Sequence, residues 1–327
     1  MKKDIYIYLC FNIVLAFIVS TFLYFSFTNS YSSWILNVDN FQGIFTKRIY
    51  QYRLLSSKLL LYIYDFLGRF DINYDMFKLR FLREDAEPRL HFAFYILNTS
   101  FTMLFVGVVT LITFCKNFIA TLSEKILITT ISTFVISLTQ FVLVPYDTSS
   151  YFFIALFLLL LIQYLNKPDN YKLILLVLTL IISTINRESS ALSISLAGAL
   201  LYSKYKVSKQ SITPIVILVI SFILVYIGLR LQANHFRTND GNLLMLNLTE
   251  PKNILGGFFG ILLMAFPYLI SNHKEQKNNI TIFYLLSLPY IAMCFYTGIL
   301  YEVRLFVPLF LTAIILSKYS QKHHVQQ

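Results

Sequence analysis

Charged side chains are scarce in this chain. Asp, Glu, Lys and Arg make up 13% of its 327 residues, about half of the roughly 25% usual for a soluble globular domain. A water-facing surface cannot be built from so little charge, and a soluble fold is excluded. Cysteine is scarce too. Cys10, Cys115 and Cys294 all sit in or beside apolar runs, and their spacing offers neither a disulfide framework nor a zinc site. The chain has no glycine-rich phosphate loop and no nucleophile elbow. His91 and His235 are lone histidines, more readily read as structural than catalytic. Internal repeats and low-complexity tracts are absent as well.

Apolar residues are abundant, at 57% with 17% aromatic, arranged in runs long enough to cross a bilayer. The pattern predicts an all-α polytopic membrane protein forming a single domain over 1–327, with about ten spans. They fall at 5–27, 90–115, 125–144, 150–165, 172–185, 189–203, 212–229, 254–271, 280–299 and 305–317. The spans at 172–185, 189–203 and 305–317 are short, as expected of partial spans or of helices broken near one surface. The first run lacks a small-residue cleavage site and reads as a span, not a cleaved signal. A long connector, 28–88, follows it. Its stretch 50–68 carries an apolar stripe and predicts an interfacial helix with Tyr62 and Tyr64 at headgroup depth. Within that connector, 71–85 predicts a turn and a short helix.

Alternating the connectors from Met1 sorts the basic residues by type. One side holds 13 lysines and no arginine, against four acids; the other holds all ten arginines, four lysines and 12 acids. Lysine excess marks cytoplasmic loops, which gives an N-in, C-in topology with 318–327 as a cytoplasmic tail. The net charge of +11 is then mainly a topological signal directed at an anionic leaflet, not at nucleic acid. The frequent Ile, Lys, Asn, Tyr and Phe fit an AT-rich bacterial genome and therefore a bacterial plasma membrane.

Arginine on the opposite face needs another reason, and its planar fork suits phosphate and carboxylate. Five clusters stand out there: Asp39; Lys47 to Arg53; Asp147; Arg187-Glu188; and Glu302-Val303-Arg304. Ionisable groups at span ends are costly unless paired or wetted. Each cluster also has a purely structural reading. Asp39 suits a turn, Arg48 and Arg53 suit lipid headgroups, Asp147 suits a helix N-cap, and the last two suit interhelical ion pairs. Taken together, they offer a carboxylate base for an acceptor hydroxyl and guanidiniums for a phosphate leaving group. A transferase acting on a lipid-linked substrate needs both.

The chain resembles the GT-C integral-membrane glycosyltransferases. The resemblance is carried by Asp39 after the first span, Tyr50-Gln51-Tyr52-Arg53-Leu54-Leu55, Asp147-Thr148-Ser149-Ser150-Tyr151-Phe152, Asn186-Arg187-Glu188-Ser189-Ser190 and Glu302-Val303-Arg304. It implies sugar transfer from a polyprenyl-phosphate-linked donor to an extracytoplasmic glycan, lipid or protein. Asp39 would be the catalytic base. Arg48, Arg53, Asp147, Arg187, Glu188, Glu302 and Arg304 would bind substrate. No aspartate pair suggests a metal, and no cofactor is expected. Three other readings stay open, the plainest being a structural or assembly protein of the membrane. A polysaccharide polymerase of the O-antigen or exopolysaccharide type would also set outer arginines on lipid diphosphates. A lipid-linked sugar flippase or other transporter would show charge at mid-span and repeated halves, and neither is visible.

Overall fold

A computed structural model gives the fold of residues 2–45, 47–75, 79–233, 236, 238 and 241–321, with residues 2, 3 and 48 described by their backbone alone. Every expected span contains helix. In chain order the α-helices are α1 (Lys2–Tyr31), α2 (Val38–Phe45), α3 (Leu54–Leu67), α4 (Pro88–Thr113), α5 (Leu122–Leu138), α6 (Asp147–Asn166), α7 (Asn170–Asn186), α8 (Ala191–Tyr205), α9 (Lys209–Leu231), α10 (Leu244–Thr249), α11 (Pro251–Leu269), α12 (Lys274–Leu286), α13 (Leu288–Thr297) and α14 (Val307–Leu316). Among the described residues there is no strand, only one isolated bridge between Phe118 and Tyr319.

Six of these helices are long and apolar enough to cross a membrane, and a seventh span results if α12 and α13 count as one. The single span expected at 280–299 falls across this pair, which is bent by 51°. The break falls at Ser287, where Pro289 begins the next helix. Proline supplies no N–H to the ladder and its ring crowds the preceding turn. The polar stretch 271–279, which separates two expected spans, is a loop only to His273; from Lys274 it forms the first turns of α12, where Gln276 and Asn279 are fully buried.

Burial separates the helices that face lipid from those that face protein. Of the apolar window in α6, 67% is buried, against 17% in α1 and 11% in α9. In a bilayer the exposed Ile, Leu and Phe of α1 and α9 need no protein cover. The ten-residue α14 is buried along its whole length among α5, α6, α8, α11 and α12. Enclosure in protein removes the need to reach both interfaces, which explains how so short a helix sits in the core.

The connectors collect at two ends. At one, Lys318 pairs with Glu124, Ser320 bonds Asn117 and Glu275, and Gln321 bonds the Leu200 carbonyl. These are the lysine-bearing connectors. At the other end, Ser32 meets Leu143, Tyr31 meets Glu302 and Arg53 meets Glu188. The arginine-bearing connectors therefore converge.

The long connector departs from expectation. The expected 50–68 helix is broken at Arg53, between a 3-10 turn (Arg48–Tyr52) and α3. Arg53 has φ −94° and ψ 68°, outside helical values, and its buried side chain pairs with the partly exposed Glu188. Tyr62 is exposed, whereas Tyr64 is buried and donates to Glu87. The described residues within 71–85 form turns and no helix.

Candidate functional site

Asp39 was expected in a loop and lies in the first turn of α2. Asn37 starts that helix. Its Oδ1 accepts from the backbone N–H of Asp39 and of Asn40, both at 3.1 Å, the bonds an N-cap makes. Glu87 adds a third, accepting from the Val38 N–H at 2.9 Å. Asn40 Nδ2 donates to the Trp34 carbonyl at 3.2 Å. The turn carrying Asp39 is thus fixed by its backbone, while the carboxylate is exposed and takes no part in the ion pairs beside it.

Those ion pairs form one network from four separate connectors. Arg53 holds Glu188 through two N–H groups. Asp147 is shared by Arg187, on Oδ1, and Arg304, whose Nη1 reaches Oδ2 at 2.8 Å. Arg304 also grips Glu302, with Nε and Nη2 at 2.9 and 2.8 Å from Oε2. The Tyr31 hydroxyl donates to Glu302 Oε1 at 3.1 Å. Three guanidiniums and three carboxylates cancel, as buried charges must if they are to stay ionised. Burial opposes the charge on Glu188, but the neighbouring Arg53 guanidinium wins and holds its carboxyl down at about 2. The same balance keeps Arg53, Arg187 and Arg304 firmly protonated: desolvation pulls each down, and the adjacent carboxylates more than restore it.

Tyr146 anchors this network. The Arg53 and Arg187 guanidiniums lie 4.4 and 5.5 Å from its ring centroid, and Tyr50 stacks on it at 6.2 Å. Its carbonyl accepts from Asn186, whose amide oxygen takes hydrogen bonds from Ser56 and Ser149 at 2.6 and 3.1 Å. These bonds join α3, α6 and α7 in one buried knot. Asp147 is not the N-cap of α6: it lies inside the first turn, with Tyr146 before it, and both of its oxygens are committed to arginine.

In front of the network lies a cavity of about 610 Å³. Its walls include Asp39, Asn40, Lys47, Glu302 and Arg304, the rings of Tyr31, Trp34, Tyr50 and Tyr146, and apolar side chains such as Ile35, Ile44 and Leu143. Of the expected site residues, Asp39, Glu302 and Arg304 therefore line one hollow. Arg53, Asp147, Arg187 and Glu188 do not line it; they stand behind Tyr146 and Arg304 as support. The Arg48 side chain lies outside the described residues, as do His235 and Arg237. His91 is buried beside Thr28, with Nε2 2.9 Å from its hydroxyl, away from the cavity. Among the described residues no group of three or more His, Cys, Asp or Glu is placed to hold a metal.

Trp34 went unnoticed in the sequence, and Lys47 and Tyr146, though inside the clusters there, were given no role. Trp34 had a signal, being the only tryptophan. No protein-family model, curated protein or solved structure matches the chain, so its site is judged by geometry alone.

Proposed function

We propose that the chain is a multi-pass glycosyltransferase of a bacterial plasma membrane, using a polyprenyl-phosphate-linked sugar at its extracytoplasmic face. In this reading the lysine-bearing end is cytoplasmic, both termini lie there, and ten helical passes, some broken, make up the bundle. The observation that carries the proposal is that Asp39, from the first connector, and Arg304, from the last, line the same cavity. An exposed carboxylate and a fixed guanidinium bounding one hollow are what transfer from a phosphate requires.

The chemistry follows from these groups. The Asp39 carboxylate takes the proton of an acceptor hydroxyl. The acceptor oxygen forms a bond to the anomeric carbon as the bond from that carbon to the phosphate oxygen breaks. The electron pair leaves on the polyprenyl phosphate, whose added charge meets Arg304 and Lys47. Asp39 then releases its proton to solvent or to the departing phosphate. The isoprenoid tail stays in lipid beside the bundle, since nothing in the hollow is long enough to hold it.

Asp39→Asn and Arg304→Ala, expressed at normal levels in vesicles, should each lower transfer of labelled sugar from polyprenyl-phosphate donors by at least about 100-fold. Full transfer by both variants overturns the proposal. So does movement of intact lipid-linked sugar across the bilayer without transfer.

A further inference from the structure

The two carboxylates that touch Arg304 are not equivalent. Asp147 lies behind the cavity and is also held by Arg187. Glu302 lines the cavity itself, on the side from which a substrate would come. It covers the Nε and Nη2 edge of the guanidinium, the edge that would otherwise offer a phosphate two parallel N–H donors. Its other oxygen has a neutral partner, the Tyr31 hydroxyl.

The charges facing the hollow sharpen the problem. Among the described residues of the wall, Asp39 and Glu302 are set against Lys47 and Arg304, and these two carboxylates offset much of the pull that the two cations exert on a phosphate dianion. The dianion would gain if Glu302 withdrew from Arg304. The turn that carries Glu302 is itself clamped. Asn247 and Asn253 accept from the N–H groups of Leu300 and Tyr301, at 3.4 and 3.3 Å. The backbone of Gly256 faces Tyr301 so closely that an added Cβ would lie 2.5 Å from its Cα. Motion therefore belongs to the Glu302 side chain and not to the turn, and Asp147 keeps Arg304 in place meanwhile.

We propose that Glu302 is a resident anion occupying the phosphate position on Arg304, displaced by the phosphate of an incoming isoprenoid substrate, with Asp147 as the positioning residue that holds Arg304 throughout. The inference rests on the glycosyltransferase reading for the identity of the anion, but its test does not depend on transfer.

The two carboxylates should then respond with opposite sign. Glu302→Gln removes the competing charge and keeps a hydrogen-bonding side chain beside Tyr31. Asp147→Asn leaves Arg304 less firmly held. Trp34, the only tryptophan and part of the cavity wall, reports binding by its fluorescence in purified full-length protein. With farnesyl phosphate as probe, Glu302→Gln should bind about tenfold tighter than the parent and Asp147→Asn at least about tenfold weaker. Inorganic pyrophosphate forms a second arm: response to both probes marks a site for the anion itself, and response to farnesyl phosphate alone marks a site for the lipid carrier. Binding by Glu302→Gln that is equal to or weaker than the parent overturns the inference. So does binding by Asp147→Asn that is equal or tighter, and so does the absence of any fluorescence change in every protein. Thermal unfolding in detergent checks that each variant is folded. If Asp147→Asn is not, Glu302→Gln decides alone. Loss of transfer with the opposite signs intact would remove the reaction and leave the anion site. Transfer without the tightening would remove only the role of Glu302.

Discussion

Glu188 and Arg53 show what a single pair contributes here. The pair bridges the first connector and the turn between α7 and α8, with Arg53 almost fully buried. Removing one partner of such a pair leaves an uncompensated charge, at a cost of about 3–5 kcal/mol. Glu188 is held at about 2 in the folded protein against an ordinary 4.5. An acid with a depressed folded value stabilises fully above its unfolded value and stops doing so as pH falls through the folded one. Thermal stability measured against pH should therefore be flat above about 5 with respect to this group and fall between about 4.5 and 2. Glu188→Gln should start lower and lack that component of the fall. Parallel curves for parent and variant would contradict the assignment.

At the scale of the element, the last connector is shaped by glycines opposite it. Gly256 and Gly260 of α11 let the 300–306 turn approach: a Cβ on Gly256 would lie 2.5 Å from the Tyr301 Cα, and one on Gly260 would lie 2.5 Å from the Phe306 ring. Gly256→Ala must push back a backbone that carries Glu302 and Arg304. It should cost about 1–3 kcal/mol and reduce transfer. Gly228→Ala, on α9 with nothing within 4 Å of the new Cβ, should be neutral or stabilising by up to about 1 kcal/mol. Unfolding temperatures and transfer rates for the two variants check this contrast.

The same scale shows what was legible in the sequence. Long apolar runs gave the helices of α1, α4, α6 and α9 because lipid demands apolar length regardless of partners. Of the three short runs expected as partial or broken spans, 172–185 lies in one continuous helix, α7, whereas 189–203 and 305–317 are entered through 3-10 turns at Glu188–Ser190 and Leu300–Leu305. The helix α2 was not foreseen, because Val38 to Phe45 is too short for periodicity to register, and Asn37 reads equally as a turn residue. The kink at Ser287 needed Pro289 to be weighed inside an otherwise continuous run. The division of the charged residues into cavity wall and buried support could not be read from the sequence. Arg187-Glu188 and Glu302-Val303-Arg304 look alike as strings, and only tertiary packing sets one behind Tyr146 and the other before it.

For the whole molecule, the sorting of lysine from arginine is the clearest pattern, and the contacts explain it. Lys318, Lys204 and their neighbours close one end of the bundle through Glu124 and backbone carbonyls. The other end is held by guanidiniums, of which Arg304 bridges two carboxylates, Asp147 and Glu302, at once, as a lysine ammonium does less well. Placing that second end outside the cell, and its cavity in the path of the substrate, is the central claim. Gly43 tests it directly. It lines the cavity, and among the described residues a Cβ there meets nothing within 4 Å. In a chain with Cys10, Cys115 and Cys294 replaced by alanine, the thiol introduced by Gly43→Cys should react with a membrane-impermeant reagent added to intact cells, and sugar transfer should then be lost. Reaction of that thiol only after the membrane is opened, or full labelling while transfer continues unchanged, would contradict the account.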